Sequence, residues 1–239
     1  IGNFYCRRQS HMLERWQTGV NDAVDAVFAC SKLDAEILGP KAVLAPNAVD
    51  APESIERKPE AATFLFVGDM GWRPNADAAR QLANYILPEI HGRLPEARVE
   101  LVGKNAPRMS RGAKRTGVNV IGAVEWVAPY LARDTAALVP LRTGSGTRLK
   151  ILEAFSAGVP VVSTTVGCEG LDVKHEKHLL IADSIEAFAD ACVRIASDPD
   201  LANTLSDNAR NLAVTEYNWE RTVGVIEETC GIVAARGAQ

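Results

Sequence analysis

From residue 63 almost to its end, the chain alternates short apolar runs with longer amphipathic stretches. TFLFV (Thr63 to Val67) predicts a buried strand, followed by the loop GDMGWRPN and a helix running to about Arg93, with Pro74 suited to its first turn. RVELVGK (98–104) and VNVIGAV (118–124) predict two more strands, Trp126 to Arg133 a short helix, and AALVPL (136–141) a strand that enters a glycine-rich turn. A helix over 149–157, strands PVVST (160–164) and LLIAD (179–183), an amphipathic helix from Ser184 to Ser197 and helical sequence from Asp200 onward complete the series. Strands alternating with helices imply right-handed crossovers and one doubly wound parallel sheet, an α/β fold.

The first fifty residues read differently. Tyr5 to Asn21 has helical character, Asp25 to Cys30 is a buried-type strand, Ser31 can cap a short KLDAEIL helix, and Lys41 to Pro46 is another strand. Two strands with their helices cannot close a sheet, so residues 1–50 read as the remnant of a preceding domain. Residues 51–62 (APESIERKPEAA) are polar, hold two prolines and lack an apolar period, the composition of a linker. The expected organisation is therefore a remnant (1–50), a linker (51–62), a Rossmann-like domain (63–215) and a final helix (216–239).

Composition narrows the function. The 239 residues are 47% hydrophobic, enough for a sizeable core, and carry 26 Lys and Arg against 30 Asp and Glu. A formal net charge of -4 gives no electrostatic case for a nucleic-acid partner. No apolar run approaches the ~20 residues of a membrane span, and a soluble, cytoplasmic protein is expected. Five cysteines, odd in number and without metal-ligand spacing, read as buried free thiols. The four histidines show no metal spacing, so no metal is expected, and His175 and His178 read as exposed loop residues. Trp72 and Trp219 read as packing residues.

The most informative segment is VPLRTGSGTRLKILEAFSAGVPVVST (139–164): strand, glycine turn, helix, strand. Gly144 and Gly146 let backbone approach a ligand, and the turn feeds a helix N-terminus whose free N–H groups attract phosphate. Arg148 and Lys150 add positive charge there, against the grain of the helix dipole, which favours an anion as their partner. Two turns on, Glu153 can accept hydroxyl protons. A phosphate cradle beside a carboxylate suits a nucleotide, bound at the carboxyl ends of the strands.

FVGDMGWRPNADA, LVGK, VIGAV, the GSGTRLKILEAFSAGVPVVST block, GCEGL and the late YNWE together resemble the C-terminal, donor-binding half of GT-B glycosyltransferases of the family 4 (group 1) type. PNAVD (46–50) is similar to the signature that ends that family's N-terminal, acceptor-binding domain. The resemblance implies a retaining glycosyltransferase whose substrate is a nucleotide-diphosphate sugar, UDP- or GDP-linked, with no further cofactor. The implied partners are a glycan or lipid acceptor and the N-terminal domain, with peripheral attachment of the full protein to a membrane.

Residue by residue, Glu153 matches the second glutamate of the family's E-x7-E motif, which holds the ribose hydroxyls, and Ser145 stands where the first would be. Arg73 and Lys104 lie near the positions of the family's basic pair for the diphosphate, and Val124 resembles the position that contacts the base. Gly68, Arg73, Lys104, Val124, Gly144, Ser145, Gly146, Thr147, Arg148 and Glu153 form the expected donor site, with Arg148 and Glu153 as its catalytic members. Two alternatives stay open: a sugar-nucleotide epimerase of the same fold, and a non-catalytic module that binds a nucleotide sugar or a protein.

Overall fold

The structure, a computed structural model, describes residues 2–50, 57–60, 62–105 and 117–237. The chain divides into two compact units, residues 1–47 with 220–239, and residues 48–219. The first holds α1 (Gly2–Ala23), β1 (Val27–Ala29), α2 (Lys32–Leu38) and β2 (Ala42–Leu44), with β1 and β2 paired in parallel. Ser31 caps α2 as its sequence implies, its Oγ accepting from the Asp34 N–H at 3.0 Å. Lys41 closes the end of α1, where its ammonium donates to the carbonyls of Asn21 (2.9 Å) and Val24 (2.7 Å).

The larger unit begins with β3 (Thr63–Val67), followed by a helical stretch made of α3 (Arg73–Gln81), a π-helical turn (Leu82–Ile86) and α4 (Leu87–His91). β4 (Arg98–Val102), β5 (Val118–Gly122), α5 (Ala128–Arg133), β6 (Ala136–Val139), α6 (Leu149–Ser156) and β7 (Val161–Ser163) follow. A 3-10 turn (Val166–Cys168) then leads to β8 (Leu180–Ile181), α7 (Ile185–Ser197) and α8 (Pro199–Glu216). The expected helical tail breaks after α8, because Tyr217 leaves helical geometry (φ -121°, ψ 38°) and its buried hydroxyl accepts from the Asp172 N–H at 2.8 Å. The last helix is α9 (Trp219–Gly237).

All six strands of the larger sheet pair in parallel, in the order β5-β4-β3-β6-β7-β8. β3 starts the first half and β6 the second, so the chain reverses direction across the sheet between them. Such a switch point leaves a crevice at the carboxyl ends of the two strands. The core is the interior of this unit: Phe64, Leu65, Phe66, Leu101, Leu138, Ile151 and Phe155 are fully buried. α4 packs on α7 and α6 on α8, the two helical layers of a doubly wound fold.

Of the expected linker, residues 51–56 and 61 lie outside the described residues. Residues 57–60 are fastened to the corner between α5 and β6: Lys58 N–H donates to Ala132 O at 3.0 Å and Glu60 N–H to Arg133 O at 2.6 Å. Arg57 reaches the Asp134 carbonyl at 2.7 Å and the Gly158 carbonyl at 3.0 Å. Three other expectations are corrected. Only Cys168 and Cys192 are buried, while Cys6, Cys30 and Cys230 are exposed thiols. Trp72 and Trp219 are more than half exposed, because each sits at the start of a helix with its ring outside the core. His178 is buried, its Nδ1 accepting from the Lys174 N–H of the same loop.

Candidate functional site

At the switch point the loop after β3 (68–72) and the loop after β6 (140–147) converge. Each is shaped by its own backbone. Gly144 (φ 140°) and Gly146 (φ 80°) adopt conformations that only glycine takes without strain. A Cβ on Gly144 would lie 2.9 Å from the Arg148 guanidinium and 4.0 Å from Pro74, so the turn packs against the start of α3. A bidentate pair fastens the loop after β6 to α3 further, Arg142 donating to Asp77 through Nε (3.0 Å) and Nη2 (2.9 Å).

Arg148 stands at the N-cap of α6 and is buried. Its Nη1 donates to the carbonyls of Ser145, at 2.6 Å, and Gly146, and its Nη2 lies 3.5 Å from the Val166 carbonyl. It therefore laces the glycine turn to the loop after β7. No ion pair joins it to a carboxylate among the described residues, and burial lowers its pKa. Its Nε and the neighbouring Thr147 Oγ1 are buried without a hydrogen-bond partner among the described residues.

Lys150 carries the second charge. Its Nζ donates to Asn75 Oδ1 at 2.9 Å and lies 4.6 Å from the centre of the Phe66 ring. Desolvation, with repulsion from Arg148 next, lowers its pKa to about 8 against a partial offset from Glu153. Glu153, one turn further along α6, is exposed; with Lys150 it borders a small cavity of about 10 Å³, room for one water, between Leu65 and Val67 of β3, Val139 of β6 and Val127 at the start of α5. α6 has no side-chain cap and no acid in its first turn. Two cations and an open helix N-terminus thus share one rim of the crevice, with Glu169 and Glu153 acting on them at longer range and no carboxylate in an ion pair with either among the described residues.

The other expected residues take varied places. Gly68 lies under this rim, where a Cβ would come within 2.9 Å of Asn75 Cγ and 3.0 Å of Lys150 Nζ. Ser145 is exposed on the turn. Lys104 is exposed at the end of β4 and joins the loop through its backbone, its carbonyl accepting from Met70 N–H at 2.9 Å. Arg73 is exposed at the first position of α3. Val124 follows β5 at the edge of the sheet, half-buried against the core. Gly68 and Glu153 lie by Lys150, and Gly144, Ser145, Gly146 and Thr147 lie by Arg148 next to it; among the described residues, no contact joins the side chains of Arg73, Lys104 and Val124 to them. Asn75 and Asp69 were missed by sequence reasoning. Their one signal is that polar residues recur between Gly68 and the first turn of a helix, where an apolar face would be expected.

The family model for glycosyl transferases group 1 matches residues 61–198, more than half of the chain and all of the crevice. The chain belongs to that family. A Klebsiella pneumoniae relative described as an uncharacterized 44.6 kDa protein in the cps region is 22% identical over 171 residues, 68% of this chain and 44% of the relative. Among solved structures, S. aureus TarM superposes with a TM-score of 0.75 at 13% identity, covering 94% of this chain and 45% of TarM. Anabaena HepE, in complex with UDP and glucose, gives 0.69 at 13% identity over 88% of this chain and 63% of HepE. The sucrose-phosphate synthase of Thermosynechococcus elongatus gives 0.69 at 22% identity over 90% of this chain and 59% of the enzyme. The expected GT-B C-terminal, Rossmann-like fold is borne out. The chain spans less than half the length of the curated relative and of TarM, and under two thirds of the other two.

Proposed function

We propose that this chain is the donor-binding part of a glycosyltransferase that uses a nucleotide-diphosphate sugar, UDP- or GDP-linked. The observation that carries the reading is the pair Arg148, buried, and Lys150, half-buried, at the N-terminus of α6, neither of which forms an ion pair with an acid among the described residues. Burying an uncompensated charge is unfavourable, and a diphosphate would balance the Lys150 ammonium beside the turn that Arg148 holds. HepE and TarM, which share the fold, were solved with UDP.

Each residue then has a role. Arg148 holds the turn so that its amides face the ligand, and Lys150, held by Asn75, supplies positive charge on the open side. As the bond to the sugar breaks, negative charge grows on the leaving diphosphate while the sugar gains oxocarbenium character. The Lys150 ammonium and the α6 N–H groups stabilise that charge, without the need for a metal. Glu153, exposed on α6 one turn past Lys150, accepts hydrogen bonds from the ribose hydroxyls, and Ser145, on the exposed turn, faces the sugar. Transfer proceeds with retention at the anomeric carbon, to a glycan or lipid acceptor. Ser145 in place of a glutamate favours the second reading, a module that binds the donor and transfers nothing.

Thermal denaturation with UDP, GDP, uridine and guanosine tests the reading. A diphosphate at a hundred times its dissociation constant adds about 2.7 kcal/mol to stability, a shift of several degrees. Neither diphosphate raising the midpoint would sink the proposal. The anomeric proton of the product, followed by NMR in the full-length enzyme, separates retention from inversion.

A further inference from the structure

We propose that Asn75 is the positioning residue of this site: its amide aims the Lys150 ammonium into the crevice while leaving the charge unneutralised for an anion. The inference rests on the nucleotide-diphosphate reading above and adds to it the part that keeps the cation available.

Asn75 sits in the first turn of α3 and uses both ends of its amide. Oδ1 accepts from Lys150 Nζ at 2.9 Å, and Nδ2 donates to the Asp69 carbonyl at 3.0 Å. This double use fixes which way the amide points, since the flipped rotamer would set donor against donor. Asp69 is itself pinned, its Oδ1 accepting from the Gly71 N–H and from Asn105 Nδ2, each at 2.8 Å. A hydrogen-bonded chain Lys150–Asn75–Asp69–Asn105 therefore crosses the switch point from α6 to the end of β4. Gly68 leaves the space it needs, as any Cβ there would press on both Asn75 Cγ and Lys150 Nζ.

The charges around Lys150 show why an amide is used. From its own helix Lys150 faces Arg148, which repels it, and Glu153, which attracts it weakly. From β3 it meets the Phe66 ring, and from α3 the neutral Asn75. The nearby acids are turned elsewhere, Asp69 onto Asn105 and Gly71, and Asp77 onto Arg142. A carboxylate at position 75 would reach the ammonium at the same 2.9 Å, close an internal ion pair, and occupy the charge that an anion must meet.

The test combines Asn75→Asp and Asn75→Ala with two readouts on the whole chain. Lysine side-chain NMR, with Lys150 assigned through Lys150→Arg, follows its titration without any ligand. Calorimetry measures UDP, GDP and pyrophosphate between pH 6.5 and 9. In Asn75→Asp the Lys150 titration should move up by about one pH unit or more, and diphosphate affinity should fall about tenfold. The affinity that remains should lose the decline with pH that the wild type shows near the Lys150 titration. Asn75→Ala, which frees the ammonium without neutralising it, should weaken binding less. An unmoved Lys150 titration in Asn75→Asp, or wild-type diphosphate affinity in that variant, overturns the proposal and leaves the donor reading standing. Failure of the wild-type chain to bind all three probes overturns the donor reading, and this proposal with it.

Discussion

Arg148 and Lys150 are two residues apart, yet the structure gives them different work. Arg148 spends its donors on the carbonyls of Ser145 and Gly146, so its removal should loosen the turn as a whole. Arg148→Ala should lower stability by about 1–3 kcal/mol, through lost charged hydrogen bonds, and weaken UDP and uridine alike. Calorimetry with both ligands checks this, and a loss confined to UDP would show Arg148 reading phosphate directly. Lys150 should do the opposite. Its pKa of about 8 lies below the ordinary 10.5, so below pH 8 the folded state carries a charge that burial disfavours. Between pH 8 and 10.5 the folded state has already lost the proton that the unfolded chain still holds, and stability rises with pH there. At neutral pH, Lys150→Met should therefore raise the apo midpoint, by about 2–4 °C for each kcal/mol of relieved desolvation, and abolish stabilisation by UDP. A lower apo midpoint would mean that the bond to Asn75 and the Phe66 contact outweigh the burial of the charge.

At the scale of elements, the amino ends of the strands hold a second cluster of charge, formed where α5 runs into β6. Asp134 is fully buried; Arg133 Nε lies 3.8 Å from its Oδ1, but neither carboxylate oxygen has a hydrogen-bond partner among the described residues. Arg133 ties Glu100 of β4 at 2.5 Å, and Arg57 meets Asp134 through its backbone carbonyl. Desolvation, then the charge of Glu100, raises the Asp134 pKa from 3.8 to about 7. The sign follows: the folded state holds this proton where the unfolded chain has lost it. The contribution is complete below pH 3.8 and disappears as pH rises through 7. Asp134→Asn should match the wild type near pH 5 and exceed it by about 2 kcal/mol at pH 8. Denaturant titrations at the two pH values measure the difference, and a constant gap would remove the buried acid from the explanation.

The same elements show what could be read in advance. Apolar runs such as TFLFV and AALVPL fall on β3 and β6, since a strand buried on both faces announces itself by continuous hydrophobicity. Gly144 and Gly146 were legible because their positive φ is a demand made by the chain locally. Asn75 was not, because its meaning depends on Lys150, seventy-five residues later, reaching it across the switch point. Nor was the lacing role of Arg148, since carbonyl acceptors leave no mark in a sequence.

Across the whole molecule, the hydrophobic core and the candidate site belong to the same unit. Every residue of the main core cluster lies between Ala62 and Tyr217, and every residue gathered around Lys150 falls in the same span. The other unit has a two-stranded sheet and few buried apolar side chains, Ala29 and Ala45 among them. Two strands and so little buried area are marginal for independent stability. A fragment of residues 48–219 should therefore unfold cooperatively and bind UDP within about twofold of the whole chain, a difference under 0.5 kcal/mol. Native-state hydrogen exchange on the whole chain should agree, with strong protection in β3, β4, β6 and β7 and weak protection in α1, β1 and β2. A fragment that fails to fold, or folds and loses UDP, would show that residues 1–47 or 220–239 support the site in a way that its core and hydrogen bonds do not require.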